Sequence, residues 1–118
     1  WPAVALTTDT SILTAVGNDY GFDEVFARQL EGIGRPGDAL IVISTSGNSP
    51  NIQKVVQTAR KMGIFTIGLL GRDGGATAKE MDLPIIVKAQ ETARIQEAHI
   101  FLIHYLTGGI EVRLMEQV

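Results

Sequence analysis

The sequence contains no cysteine among its 118 residues. That removes disulfides, thiolate nucleophiles and any cysteine-based zinc site. It also lacks a surplus of basic charge: ten Lys and Arg stand against thirteen Asp and Glu, for a formal net charge of −3. The basic residues are scattered, whereas a nucleic-acid backbone is usually met by a basic face; nucleic acid is not expected as a direct partner. No apolar run approaches the roughly 20 residues that span a bilayer. The opening stretch WPAVALTTDT has none of the positive charge that leads a secretory signal. The expectation is a cytoplasmic protein without a membrane partner, although the chain opens with Trp1 rather than Met, which leaves an upstream segment open. The sequence has neither a Walker loop ending in Gly-Lys-Ser/Thr nor a G-x-G-x-x-G fingerprint, so ATPase and dinucleotide chemistry find no support.

What is present suits one globular domain: 45% hydrophobic residues and 19% charged, in a length that buries one core and not two. Residues 3–8 (AVALTT) read as a short buried strand, followed by Asp9, Thr10 and Ser11 as candidate caps for a helix bearing Ile12, Leu13 and Val16. Phe22, Phe26, Leu30 and Ile33 predict one apolar stripe on a second helix. GRPGD at 34–38 is turn chemistry, and ALIVIS at 39–44 is the next strand. Ile52, Val55, Val56 and Ala59 predict a helix stopped by Gly63. IFTIGLL (64–70) and LPIIV (83–87) supply a third and fourth strand, separated by the loop GRDGG at 71–75.

From Glu91 onward one long helix is expected, with Ile95, Ala98, Leu102 and Leu106 on one stripe. Ile100, Ile103 and Ile110 lie elsewhere around its cylinder, the pattern of a helix sandwiched between its sheet and another helix or subunit. Gly108-Gly109 imply close packing there or a break. Strands alternating with helices predict a single α/β domain, a doubly wound parallel sheet with helices on both faces in three layers.

Where ALIVIS ends, hydroxyls crowd: Ser44, Thr45, Ser46 and Ser49 surround Gly47 and Asn48. Ligands of open parallel sheets bind beyond the carboxyl ends of the strands. The helix that follows aims its first N–H groups and its positive dipole end at the same place. A helix cap explains Ser49 before Pro50, since Pro suits the first helical position. One cap needs one hydroxyl, however, and the surplus favours an anion cradle.

STSGNS after an apolar strand resembles the phosphate-binding loop of the sugar isomerase (SIS) domain. Together with VGNDYGFDEVFARQLEG and TARIQEAHIFLIH, across residues 16–104, the resemblance narrows to the bacterial phosphoheptose isomerases. It implies a flavodoxin-like SIS fold and isomerisation of sedoheptulose 7-phosphate to D-glycero-D-manno-heptose 7-phosphate for cell-envelope heptose. It further implies a cytoplasmic homotetramer with zinc at sites between subunits. Carried over, Ser44, Thr45, Ser46 and Ser49 would bind the substrate, with hydroxyls on its phosphate; Asn18 and Asp19 would contact the sugar. Gln96 would touch substrate and metal, and His104 would be metal ligand and catalytic acid/base. Family members begin with helices that carry an Asn-Gly-Gly-Ser-type loop, a metal-binding His and the catalytic Glu. Residues 1–118 match the rest as a single SIS domain, so this chain alone is expected to be inactive. Ala93 stands where some members carry Asp.

Spacing alone leaves several roles open. Gln96 and His104 are about 80° and ~12 Å apart on a helix, while His99 lies roughly 140° from His104, so only one of the two histidines is expected at the site. The resemblance selects His104 and leaves His99 to packing or an interface. As a bare sequence signal Asp19 reads first as a helix-start residue, and the resemblance reverses this; GRDGG resembles another loop site or a tight turn and is left unassigned; Glu97 offers a base but fits a solvent-facing or ion-paired residue better. Two other functions compete with the enzyme: a non-catalytic SIS protein that associates with a DNA replication initiator, sharing a similar ARIQE block, and a sugar-phosphate sensor without metal or base.

Overall fold

The computed structural model describes residues 2–116. Three strands, β1 (Ala39–Ser44), β2 (Phe65–Gly71) and β3 (Leu83–Val87), form one parallel sheet in the order β1-β2-β3. Four α-helices accompany them: α1 (Thr10–Asp19), α2 (Val25–Ile33), α3 (Pro50–Met62) and α4 (Thr92–Met115). Short 3-10 turns fall at Phe22–Glu24 and Thr77–Glu80.

The alternation in β1 buries Leu40, Val42 and Ser44, which pair in register with Thr66, Gly68 and Leu70 of β2. α3 packs on this face, and Val55, Val56 and Ala59 join Leu40, Val42, Leu30 and Ile64 in one core cluster. Burying a side chain of this kind stabilises the fold by about 1.5–3 kcal/mol. Pro50 sits in the first turn of α3, and Gly63 ends it at φ 71°, its N–H reaching the carbonyls of Ala59 and Arg60. The other face of the sheet meets α4. A Cβ on Gly71 would come within 2.6 Å of the Ile95 side chain, so α4 and the end of β2 are in close contact. Helices therefore lie on both faces, as the alternation of strands and helices implied. α4 covers that face incompletely: Ile41, Ile43 and Phe65 remain about half exposed.

Three expectations need correction. Residues 3–8 are not a strand. They pair with no neighbour in the sheet, Val4 is 72% exposed, and residues 6–8 form a turn. An apolar run becomes a strand only where another backbone accepts and donates its ladder bonds. Here the stretch is held instead by Gln29, whose amide donates to the Leu6 carbonyl at 2.9 Å. Second, Phe22 and Ile33 are exposed, and the buried residues of α2 are Val25, Ala27 and Leu30. Gly21 at φ 94° and the 3-10 turn interrupt the 3.6-residue phase, so Phe22 does not share the stripe that starts at Val25. Third, α4 runs unbroken through Gly108 and Gly109, and a Cβ on either glycine would meet nothing within 4 Å among the described residues. Only Ile95 and His99 of α4 are buried; Ala98, Leu102, Ile103 and Leu106 are partly covered, and Ile100 and Ile110 are exposed.

A closed hydrogen-bond pair ties the start of β3 to β2. The Asp82 carboxylate accepts from the Thr66 N–H and from the Thr66 hydroxyl, both at 2.8 Å, and that hydroxyl accepts from the Asp82 N–H at 2.9 Å. The Thr66 backbone N–H, then its hydroxyl, hold the carboxyl below its ordinary value of 3.8. A depressed folded-state value stabilises the fold above 3.8, and that contribution disappears as pH falls through the folded-state value. Asp82→Asn is therefore expected to flatten the fall of melting temperature below about pH 4. Parallel acid profiles of the two proteins would remove this pair from the acid response.

Candidate functional site

The hydroxyl cluster begins where β1 ends. The Ser44 hydroxyl is buried, accepts from the Gly47 N–H at 3.1 Å and lies 3.3 Å from the Ser49 hydroxyl. The Ser46 hydroxyl accepts from the Asn48 N–H at 3.1 Å. Thr45, Ser46 and Ser49 are half-buried. Ser49 holds the cap position of α3, where a serine hydroxyl normally accepts from an N–H of the first turn. It makes no such bond. Its carbonyl accepts from the Ile52 and Gln53 N–H groups at 3.1 and 3.0 Å, while the hydroxyl faces Ser44. The cap reading thus accounts for the backbone of Ser49 and not for its side chain. The hydroxyl stands at the positive end of a 13-residue helix, where negative charge is stabilised.

The loop after β2 braces this cluster from behind. Gly47 has φ 65°, and a Cβ there would lie 2.0 Å from the Gly74 carbonyl oxygen; a Cβ on Gly75 would lie 2.4 Å from the Gly47 oxygen. The Thr77 N–H donates to the Gly47 carbonyl at 3.0 Å. Asn48 spans the two loops, its side-chain oxygen accepting from the Ala76 N–H at 2.9 Å and its amide donating to the Ser46 carbonyl at 3.1 Å. GRDGG is more than a tight turn: its glycines let two backbones touch. The glycine cluster was the signal in the sequence, but its partner, Gly47, lies 27 residues before Gly74 and could not be read from it.

Asn18 and Asp19 close α1, both exposed, with the Asn18 amide donating to the Asp19 carboxylate at 2.8 Å. Asp19 caps no helix start. It is the last residue of α1, at the negative end of the helix dipole, where a carboxylate is disfavoured. Local structure gives it no reason to be acidic.

Gln96 and His104 are both exposed on α4. His99 is buried and its Nε2 lies 3.1 Å from the Leu70 carbonyl, which places it in the packing, as its spacing from His104 suggested. Glu97 pairs with Arg94 at 2.8 Å. The described residues contain no group of three or more His, Cys, Asp and Glu able to hold a metal ion. Imidazole nitrogen suits zinc and an amide oxygen can join it, but Gln96 and His104 supply two ligands where a tetrahedral ion takes four.

The structure brings the four hydroxyl residues together, joins Asn18 to Asp19, and sets Gln96 and His104 on one helix. Neither of two hollows in the fold joins the three groups. One hollow of about 510 Å³ lies among Val4, Asp9, Ile12 and Arg28, and another of about 940 Å³ runs along α4 from His104 to Leu114.

A parallel sheet with helices on both faces, ending in a hydroxyl-lined loop that feeds a helix N-terminus, defines a doubly wound α/β domain. The chain belongs to the SIS domain family, whose profile matches residues 1–71. It is 57% identical over 110 residues to the phosphoheptose isomerase of Trichlorobacter lovleyi, covering 93% of this chain and 56% of that protein. The phosphoheptose isomerase of Geotalea daltonii is also 57% identical, over 113 residues, covering 96% of this chain and 59% of its own length. Among solved structures, the phosphoheptose isomerase of Neisseria gonorrhoeae superposes with a TM-score of 0.90 at 53% identity, over 92% of this chain and 61% of that one. That of Francisella tularensis gives 0.87 at 42% identity, over 89% and 56%. The chain thus spans somewhat more than half the length of the relatives it matches.

Proposed function

We propose that this chain is the sugar-phosphate-binding part of a phosphoheptose isomerase that interconverts sedoheptulose 7-phosphate and D-glycero-D-manno-heptose 7-phosphate. The observation that carries the reading is the Ser49 hydroxyl, turned away from its capping position and toward Ser44 at the mouth of the loop. The relatives named above are phosphoheptose isomerases by name. No observation favours the replication-initiator or sensor alternatives.

In this reading Ser44, Thr45, Ser46 and Ser49 grip the phosphate, remote from the reacting carbons. They supply binding energy and orientation for the chemistry at the other end of the sugar. Asn18 and Asp19 bind the sugar hydroxyls. Going from ketose to aldose, a proton leaves C1, a proton is delivered to C2, and the hydroxyl proton moves from O1 to O2; the formula is unchanged. His104 holds or delivers one of these protons. Zinc, held in part by Gln96 and His104, would polarise the carbonyl oxygen when bound. A cytoplasmic homotetramer with sites completed between subunits belongs to the same proposal. No described helix is long and apolar enough to cross a membrane.

A hydroxyl donating to a charged oxygen contributes roughly 1.5–3 kcal/mol. Ser49→Ala is therefore expected to weaken binding of the sugar phosphate about ten- to a hundredfold, read by calorimetric titration. Unchanged affinity would place the phosphate elsewhere and end the reading of this loop.

A further inference from the structure

His99 is the one buried side chain of α4 with a polar group. The Leu70 carbonyl can only accept, so His99 Nε2 carries the proton and donates across 3.1 Å. Its other nitrogen, Nδ1, is buried without a hydrogen-bond partner among the described residues. A leucine would fill such a place without burying an orphaned acceptor. Packing alone therefore does not account for the imidazole; a directional bond to one particular carbonyl does.

That carbonyl is well placed. Leu70 pairs in register with Ser44, the first hydroxyl of the loop, and the next residue, Gly71, is so close to that loop that a Cβ would lie 2.4 Å from the Thr45 oxygen. On the helix side His99 is three residues after Gln96 and five before His104, about 4.5 and 7.5 Å along the axis. The only other buried residue of α4 is Ile95, an apolar contact that fixes no register by itself.

From these positions we infer that His99 is a positioning residue: its bond to Leu70 sets where α4 sits against the sheet, and so fixes Gln96 and His104 relative to the hydroxyl loop. The inference rests on the proposed function for its catalytic meaning. Its geometric content stands apart. Glutamine can place an amide N–H where the imidazole Nε2–H lies; leucine matches the bulk and donates nothing. His99→Leu thus removes the pin and His99→Gln keeps it.

Because the chain has no native cysteine, two introduced ones can be spin-labelled cleanly. Labels at Lys61→Cys on α3 and Glu97→Cys on α4, both exposed positions, report the placement of α4. The intact protein is expected to give a narrow distance distribution with His99 or His99→Gln, and a broadened or shifted one with His99→Leu. Turnover of sedoheptulose 7-phosphate should fall at least about tenfold in His99→Leu, while affinity for inorganic phosphate stays within about twofold; His99→Gln should recover most of the turnover. Unaltered distances in His99→Leu, or a glutamine variant as impaired as the leucine one, would overturn the inference. Absence of turnover in the unsubstituted protein carrying the upstream helices of its relatives would instead sink the isomerase reading, the label distances still deciding the pin.

Discussion

Gly47→Ala is expected to destabilise the protein by about 3 kcal/mol or more and to abolish tight phosphate binding with it. Two costs add. The residue has φ 65°, a left-handed conformation that an L side chain adopts at roughly 1 kcal/mol. The new methyl would also stand 2.0 Å from the Gly74 oxygen and 2.3 Å from its carbonyl carbon, and these are backbone atoms that no rotamer change can move aside. The loops must separate, which breaks the bonds from Thr77 to the Gly47 carbonyl and from Ala76 to Asn48. Each such bond is worth about 1 kcal/mol. Gly37→Ala is the matched control: φ is 91°, but the added methyl meets nothing within 4 Å among the described residues, so only the conformational cost remains. Denaturant unfolding of the two variants decides the matter. Equal, mild losses would mean that the loops are not braced against one another.

His104→Ala is expected to lower turnover of sedoheptulose 7-phosphate by about a hundred- to ten-thousandfold, the range for removing a general acid or base. Affinity for inorganic phosphate should stay within about twofold, because the proposed grip is on the loop after β1 whereas His104 lies on α4. His104 is exposed and lies outside the buried contacts of α4, so the substitution should leave the fold intact. Metal analysis separates its two proposed roles. Loss of bound zinc together with turnover marks a ligand, whereas retained zinc with lost turnover marks a proton carrier. Turnover at the unsubstituted level would remove His104 from the mechanism.

Much of the framework was legible from local pattern. Alternation in residues 39–44, the stripe Ile52–Val55–Val56–Ala59 and the stop at Gly63 are each decided within a few residues, and the structure follows them. Residues 3–8 misled because apolar composition reports a tendency to be buried, while a strand also needs a partner at its edge. Phe22 misled because one positive-φ glycine resets helical phase, and spacing cannot reveal that. In the site, the hydroxyls and the separation of His99 from His104 could be read from the chain. The brace of Gly47 on Gly74 and Gly75, the bridge made by Asn48 and the bond from His99 to Leu70 could not. Each joins residues more than twenty-five positions apart, and sequence spacing carries no information on contacts of that range.

The cluster of Ser44, Thr45, Ser46 and Ser49 contains no group that ionises near neutrality. If it holds phosphate as proposed, a change in that hold between pH 5 and 8 originates in the guest, whose phosphate gains its second negative charge near pH 6. A binding curve for inorganic phosphate, which does not reach as far as His104, should trace the titration of the phosphate itself. Added salt should matter little, since neutral hydroxyl and N–H groups rather than a net positive charge would hold the anion.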